Sequence, residues 1–383
     1  MAQQSTPRDW SWPFWPVVPL YPYGKRRTLR QEVLPDTLWT FDQLQGIFYV
    51  TVPVRMTVVR LEEGGLLVYA PVAPTPECVR LMRELEEKHG EVKVIVLPTV
   101  SGIEHKVFVG PFARKFPQAQ VYIAPNQWSF PLNLPLSWLG FPRKRTHILS
   151  PDTPNVPYGD QFEYAILGPV KLGLGPFEEV ALFHKPSQSL LVTDTVVSIP
   201  ATPPDILQLD PYPLLFYAKD DTFAPMEDTP ENRQRGWERI ALFSMYFRPS
   251  AVEIVDLIDS IKQSFHAPDR SKKAYFGVYP FKWTQRDQLS FESLRRGGRL
   301  LVAPILQKLI LGRAKQETLQ WVERVAGWPF QRIVPCHLTS PILATPEEFR
   351  QAFAFLMKES SLPEADLALL QALEESFSQR GIL

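Results

Sequence analysis

The sequence predicts a layered α/β protein, and three features of it carry that prediction. Residues 92–124, VKVIVLPTVSGIEHKVFVGPFARKFPQAQVYIA, read as strand, loop, helix and strand. Apolar, β-branched runs between Ile47 and Ala70 are interrupted at Gly64-Gly65, as in a hairpin. Thr75-Pro76-Glu77 and Thr345-Pro346-Glu347-Glu348 open helices, with threonine as the cap and proline in the first turn, where its missing N–H costs nothing.

At 383 residues the chain can bury a large core, as one layered domain with insertions or as two domains. With 45% hydrophobic and 21% charged residues the composition is that of a globular protein in water. Lys+Arg and Asp+Glu balance at 41 each, so global charge gives no sign of a nucleic-acid partner. The 39 prolines are about twice ordinary usage and lie scattered, which points to long, stiff connections. Two cysteines, Cys78 and Cys336, fit a reducing compartment without a disulfide framework. No run of about eighteen apolar residues offers a membrane span. The N-terminus lacks the apolar core and small-residue cleavage site of a secretory signal, so the expected location is cytoplasmic.

Residues 1–44 read as an irregular arm. Trp10, Trp12, Trp15, Tyr21 and Tyr23 alternate with Pro13, Pro16, Pro19 and Pro22, and Lys25-Arg26-Arg27 follow. Such an arm can wrap the domain and bury its tryptophans. The other reading is an interfacial anchor, in which residues 10–27 make a peripheral membrane or partner contact. Proline rules out a regular helix there. Strands are expected at 47–52, 56–61 and 66–70, then a helix from Thr75 to about His89 that stops at Gly90. The aromatic loop 126–140 fits no period and is expected to wall a pocket.

Further strands are expected at 160–170 and 180–184. Residues 175–197, GPFEEVALFHKPSQSLLVTDTVV, form two strands around Lys185-Pro186-Ser187-Gln188, the second ending in Asp194. Residues 198–310 read as a long insertion with helices at 237–247 and 251–265. Ile254, Leu257, Ile258, Ile261 and Phe265 make a regular apolar stripe, expected to pack on a core. From Glu317 a helix passes through Trp321-Val322 and a strand ends in Pro335-Cys336-His337. A last helix spans about 364–378 within a C-terminal segment, 358–383.

The loop after the 92–97 strand resembles the metal-binding loop of the metallo-β-lactamase superfamily, where a strand ends in His-x-His-x-Asp-His before a helix. Aligned on FPQAQVYIA, the final Asp-His falls on Glu104-His105, and the first two histidines fall on Val100 and Gly102. The strand ending in Asp194 is similar to the segment that carries the superfamily's metal-bridging aspartate. The one ending in Cys336-His337 is similar to its late strand with a Gly-His ligand. The Gly-His-Thr histidine falls near Leu174, and His184 beyond it is expected to be an ordinary strand residue. The surroundings GGLLVYAPVAPTPE and NQWSFPLNLPLSWLG are similar to a domain family of unassigned function common in cyanobacteria and plastids. The resemblance implies an αββα four-layer sandwich over about residues 45–357, with 198–310 inserted, and a plastid-stromal location in plant relatives.

It also implies a site. The superfamily's first metal is held mainly by the three histidines that are absent here. Glu104, His105, Asp194 and His337 occupy the positions that hold the second, which implies one divalent metal, Zn²⁺ or Fe²⁺, with Mn²⁺ also suited by ligand type. Such a metal lowers the pKa of a bound water. Glu104 and Asp194 are the expected catalytic residues. Glu104 is a methylene longer than the aspartate it replaces, so it can be a ligand, a general base, or a hydrogen-bond partner of a ligand. Two functions follow: a mononuclear hydrolase of a small-molecule ester, thioester or lactone, or a catalytically inactive fold without metal that acts in binding or assembly. In the second, the histidines are satisfied by hydrogen bonds, Glu104 pairs with Lys106 or an arginine, and the arm and the 126–140 loop meet a protein partner. Cys336 and His337 are not read as a nucleophile pair, because strand neighbours point to opposite faces.

Overall fold

A computed structural model describes residues 5–17, 19–100, 104–129, 133–150, 158–358 and 362–383. Gly102 and residues 130–132 of the aromatic loop lie outside them. Among the described residues the first sheet has seven strands: β1 (Leu29–Leu34), β2 (Leu38–Ile47), β3 (Val50–Arg60), β4 (Leu66–Tyr69), β5 (Val92–Leu97), β6 (Gln120–Ile123) and β7 (Thr146–Ile148). The strands β1 to β4 pair antiparallel and β4 to β7 parallel. Next come β8 (Phe162–Val170), β9 (Phe177–His184) and β10 (Ser189–Val192). The insertion holds a ribbon of β11 (Val252–Ile254) and β12 (Phe281–Trp283), and β13 (Arg332–Pro335) and β14 (Ile342–Leu343) follow it. The second sheet runs β14-β13-β10-β9-β8, with β10 and β13 parallel.

Alternation along the strands builds the layers, because successive side chains leave a strand on opposite faces. Leu67, Val94 and Val96 pack against Phe162, Val180, Leu191 and Val334 between the sheets. Their neighbours Val68 and Ile95 face Cys78 and Met82 of α1 (Pro76–His89) and Phe112 of α2 (Lys106–Lys115). On the far side, Phe183, Leu190 and Ile333 meet Trp321, Val322 and Phe349. The insertion supplies α3 (Asp205–Gln208), α4 (Tyr212–Ala218), α5 (Pro230–Tyr246), α6 (Leu257–Ser264), α7 (Asp287–Arg295) and α8 (Pro304–Leu309). Helices α9 (Lys315–Val325) and α10 (Pro346–Ala352) carry Trp321, Val322 and Phe349, and α11 (Glu364–Gln379) follows. The order helix, sheet, sheet, helix is the expected αββα sandwich. Each fully buried Val or Leu in it contributes about 1.5–3 kcal/mol, and a charge at Val94 would be stranded between the sheets.

The expected caps are in place. The Thr75 hydroxyl accepts from the Cys78 amide, α1 ends at Gly90 with φ at 95°, and Thr345 and Glu348 form a reciprocal capping box. No helix of the described residues is long and apolar enough to cross a membrane.

Three expectations change. Strands β1 and β2 lie inside the segment read as an irregular arm, so the sheet begins at Leu29 and not near residue 45. Residues 47–52 are not one strand, because Ile47 pairs with Val50 across a two-residue turn at Phe48 and Tyr49, both with positive φ. The 251–265 helix is β11 followed by the short α6, and its stripe is outside: Ile254 is 46% exposed, Leu257 63%, Ile258 64%, Ile261 45% and Phe265 61%. The core of the insertion is made instead by residues such as Tyr217, Trp237, Ile240 and Tyr246, which also pack on Leu44 and Tyr49 at the β2–β3 turn. The arm before β1 lies against the domain. Trp12 is buried edge-on to Phe108, Arg26 is buried with a hydrogen bond to the Leu44 carbonyl, and Arg27 meets Glu77.

Candidate metal centre

The site sits where three strands end. The loop after β5 is fixed to β9 by the Val180 amide, which donates to the Pro98 carbonyl, and then presents Glu104 and His105 just before α2. Asp194 follows β10. His337 follows β13, whose parallel pairing with β10 brings the two ends side by side. One oxygen each from Glu104 and Asp194 and one nitrogen of His337 lie within 4.8 Å of one another. His337 Nε2 is 3.0 Å from Asp194 Oδ1 and 3.3 Å from Glu104 Oε2, while its Nδ1 donates to the Pro53 carbonyl at 2.9 Å. That carbonyl fixes the ring so that Nε2 faces the carboxylates.

His105 stands outside this group of three. Its Nδ1 contacts the Pro71 carbonyl at 3.2 Å, and its Nε2 is buried with no hydrogen-bond partner among the described residues. Burial lowers its pKa and keeps it neutral, and with Nδ1–H donated to Pro71 the Nε2 carries a free lone pair. For His337, burial opposes the charged form, but Glu104 and Asp194 outweigh it and raise the pKa well above the ordinary imidazole value. Burial also opposes ionisation of Glu104, and His337 outweighs it in turn, holding that carboxyl below the usual range. Lys106 is not the partner of Glu104; its ammonium donates to the Trp128 carbonyl at 2.5 Å and so ties α2 to the start of the aromatic loop.

Two residues that hold the site were not among those singled out from the sequence. Glu179 of β9 is completely buried and accepts five hydrogen bonds, from the amides of Thr193, Asp194 and Thr195 and the hydroxyls of Thr193 and Thr195, at 2.6–3.0 Å. Burial and the nearby Asp194 push its pKa up, while these donors pull it back. A signal existed: GPFEEVALF places two acids inside an apolar strand, and a buried acid there needs donors such as Thr-Asp-Thr. Arg55 of β3 makes a bidentate pair with Asp42 at 2.7 and 2.9 Å and donates to the Pro335 and Leu338 carbonyls on either side of His337.

The remaining candidates fall elsewhere. Val100 is buried in the core between the sheets, and Leu174 is exposed. Cys336 is packed between the sheets, where burial drives its thiol pKa well up and disfavours the thiolate. His184 lies at the other end of the sheet, beside a concavity of about 440 Å³ lined also by Arg60, Glu62 and Arg332. Its Nδ1 meets the Ser187 hydroxyl at 2.7 Å, and burial pushes its pKa down to about 4. The unfolded chain takes up this proton near the ordinary value of about 6.5 and the folded one near 4. Stability is therefore expected to fall as pH drops through that window. Denaturant midpoints of the parent and His184→Gln should converge toward acid pH, and parallel curves would refute the assignment.

Residues 35–355 match the model of a protein family described as a domain of unknown function, DUF4336. No curated protein matches the sequence significantly. Similar solved structures include the metal-soaked Flv1 flavodiiron core from Synechocystis sp. PCC6803, at 10% identity over 93% of this chain and 70% of that one, TM-score 0.44. A metallo-β-lactamase from Hirschia baltica is 7% identical over 88% of this chain and 99% of that one, TM-score 0.36. The metallo-β-lactamase FIM-1 from Pseudomonas aeruginosa, in its mono-zinc form, is 9% identical over 88% and 97%, TM-score 0.37. At these values the likeness is one of outline and says nothing about the site. The family match runs from before β2 to beyond α10 and contains Glu104, Asp194 and His337, and the chain belongs to the DUF4336 family.

Proposed function

We propose that Glu104, Asp194 and His337 hold one divalent cation, with His105 as a fourth donor, and that the protein is a metal-dependent hydrolase of a small-molecule ester, thioester or lactone. The observation that carries this reading is the convergence of three ligand atoms within 4.8 Å. His105, next to Glu104 in the chain, keeps a buried Nε2 without a hydrogen-bond partner among the described residues. Ligands about 2.1 Å from a tetrahedral ion lie about 3.4 Å apart. The two His337–carboxylate separations, 3.0 and 3.3 Å, approach that spacing. Two carboxylates with one or two imidazoles suit Zn²⁺, Fe²⁺ or Mn²⁺. When bound, such a metal supplies a water of lowered pKa. The chain's own contribution is orientation and proton traffic. Pro53 fixes His337, Glu179 fixes the Asp194 turn, and Glu104, about a quarter exposed and with the longer side chain, can take a proton from water at the solvent side.

A second reading rests on His337 itself, which two carboxylates and a carbonyl already satisfy when it is protonated. In that state the centre stands without a cation and the fold serves binding or assembly. Metal content of the purified protein, measured by plasma mass spectrometry, separates the two. The hydrolase reading expects about one metal per chain, lost in an Asp194→Ala/His337→Ala double variant. It also expects proton release on metal titration, because metal and proton compete for His337 Nε2. No metal in either protein after reconstitution sinks it and leaves the second reading.

A further inference from the structure

At the end of the sandwich away from the metal centre, the β1–β2, β3–β4 and β9–β10 turns and the start of β13 surround the concavity of about 440 Å³ that His184 lines. Small-molecule sites usually measure about 300–1,000 Å³. Strands β10 and β13 begin here and lead to Asp194 and His337, so the two places share a frame but no residue. His184 and Gln161 are each 1% exposed, and each keeps its Nε2 without a hydrogen-bond partner among the described residues. Gln161 adjoins the concavity through its Oε1, which accepts from the Glu62 amide. Buried nitrogens in this state call for a polar guest beside them.

Three charged side chains line the concavity: Arg60, Glu62 and Arg332, none of them ion-paired among the described residues. Arg332 Nη1 donates to the Ser187 carbonyl, which fixes the guanidinium and leaves Nε and Nη2 for another acceptor. Burial keeps His184 neutral. Outside the lining, Asp36, which also faces Arg60, pairs with Lys88, and Glu163 pairs with Lys185. Glu32 and Glu63 are exposed and form no part of the lining. The lining thus presents two cations, one anion and the side chains of Ser187 and Gln188 as neutral hydrogen-bonding groups. A plain anion would meet Glu62, and a plain cation would meet two guanidiniums. A ligand with two negative charges and one positive complements all three. We propose that this concavity binds a free acidic amino acid, its two carboxylates on Arg60 and Arg332 and its ammonium on Glu62.

The test is calorimetric titration of the full chain with L-glutamate and L-aspartate, beside glutarate, which is glutamate without its ammonium. The better of the two amino acids is expected to bind about tenfold tighter than glutarate. Glu62→Gln weakens that amino acid about tenfold and leaves glutarate bound as before or tighter. Arg60→Gln/Arg332→Gln weakens all three ligands, by about tenfold for each guanidinium. Glu62 lies on an exposed turn, so Glu62→Gln keeps the parent's thermal transition and carries the test if the arginine variant is unstable. Binding persists in Asp194→Ala/His337→Ala, which removes chelation at the metal centre as its source. The proposal is overturned if neither amino acid binds, if glutarate matches them, if Glu62→Gln leaves their affinity unchanged, or if binding disappears in Asp194→Ala/His337→Ala.

Discussion

Glu179→Ala is expected to destabilise the protein by about 3–5 kcal/mol and to weaken metal binding by about one to two orders of magnitude. The size follows from what the carboxylate leaves behind. Three backbone amides and two hydroxyls lose their acceptor at once, in a place where Thr193 and Thr195 are fully buried. Each unsatisfied donor costs about 1–3 kcal/mol, reduced by whatever relaxation the turn allows. That relaxation moves Asp194, which is why the loss of stability is accompanied by a loss of affinity. Glu179→Gln keeps one acceptor oxygen and the shape, so it should fall between the parent and the alanine variant on both scales. Denaturant unfolding and metal titration are the two readouts. A folded Glu179→Ala protein with the parent's affinity would show that the Asp194 turn holds its shape without this acceptor.

The second large effect is expected at Arg55. Arg55→Ala leaves the buried Asp42 carboxyl without its partner and strips the carbonyls of Pro335 and Leu338 of their donors, and about 3–5 kcal/mol should be lost. The pair itself is a poor source of net stability, because both charges are desolvated, with side chains 4% and 7% exposed. Removing both should therefore be milder than removing one. Arg55→Met/Asp42→Leu is expected to recover most of the loss, in a double-mutant cycle whose single variants are Arg55→Met and Asp42→Leu. If the double variant is as unstable as Arg55→Ala, the energy lies in the carbonyl contacts that hold the His337 turn and not in the stranded charge. The carbonyl contacts also predict that metal binding recovers less than stability does in the double variant.

Much of this was legible in the chain, and the failures have particular causes. The β5–loop–α2–β6 unit, the caps at Thr75 and Thr345, and the ends of β10 and β13 follow from local chemistry that tertiary contacts reinforce. Glu104, Asp194 and His337 come together because each stands just past a strand end. His105, adjacent to Glu104 in the chain, stands outside the group of three, and its Nδ1 meets the Pro71 carbonyl, a contact no local pattern announces. The β2–β3 turn was hidden because Phe48 and Tyr49 adopt positive φ without the glycine or asparagine that ordinarily signals it; packing of Phe48 on Tyr275 and of Tyr49 on Phe216 holds them there. The stripe on α6 was visible as a period. Periodicity says that a helix has an apolar face, and it is silent on whether the rest of the chain covers that face.

One consequence lies in the order of the strands. The neighbours β10 and β13 are separated in the chain by the whole insertion, and Glu104 comes from the end of a strand in the opposite sheet. No continuous segment carries even two of the three clustered side chains. Their meeting requires long loops to be closed first, a slow and entropically opposed event that precedes any reward at the centre. A chain still being synthesised holds Glu104 and Asp194 long before it holds His337. A cation that binds only the finished arrangement draws the folding equilibrium toward it by mass action. Occupancy of this centre would then serve as a record that both sheets and everything between them have been assembled.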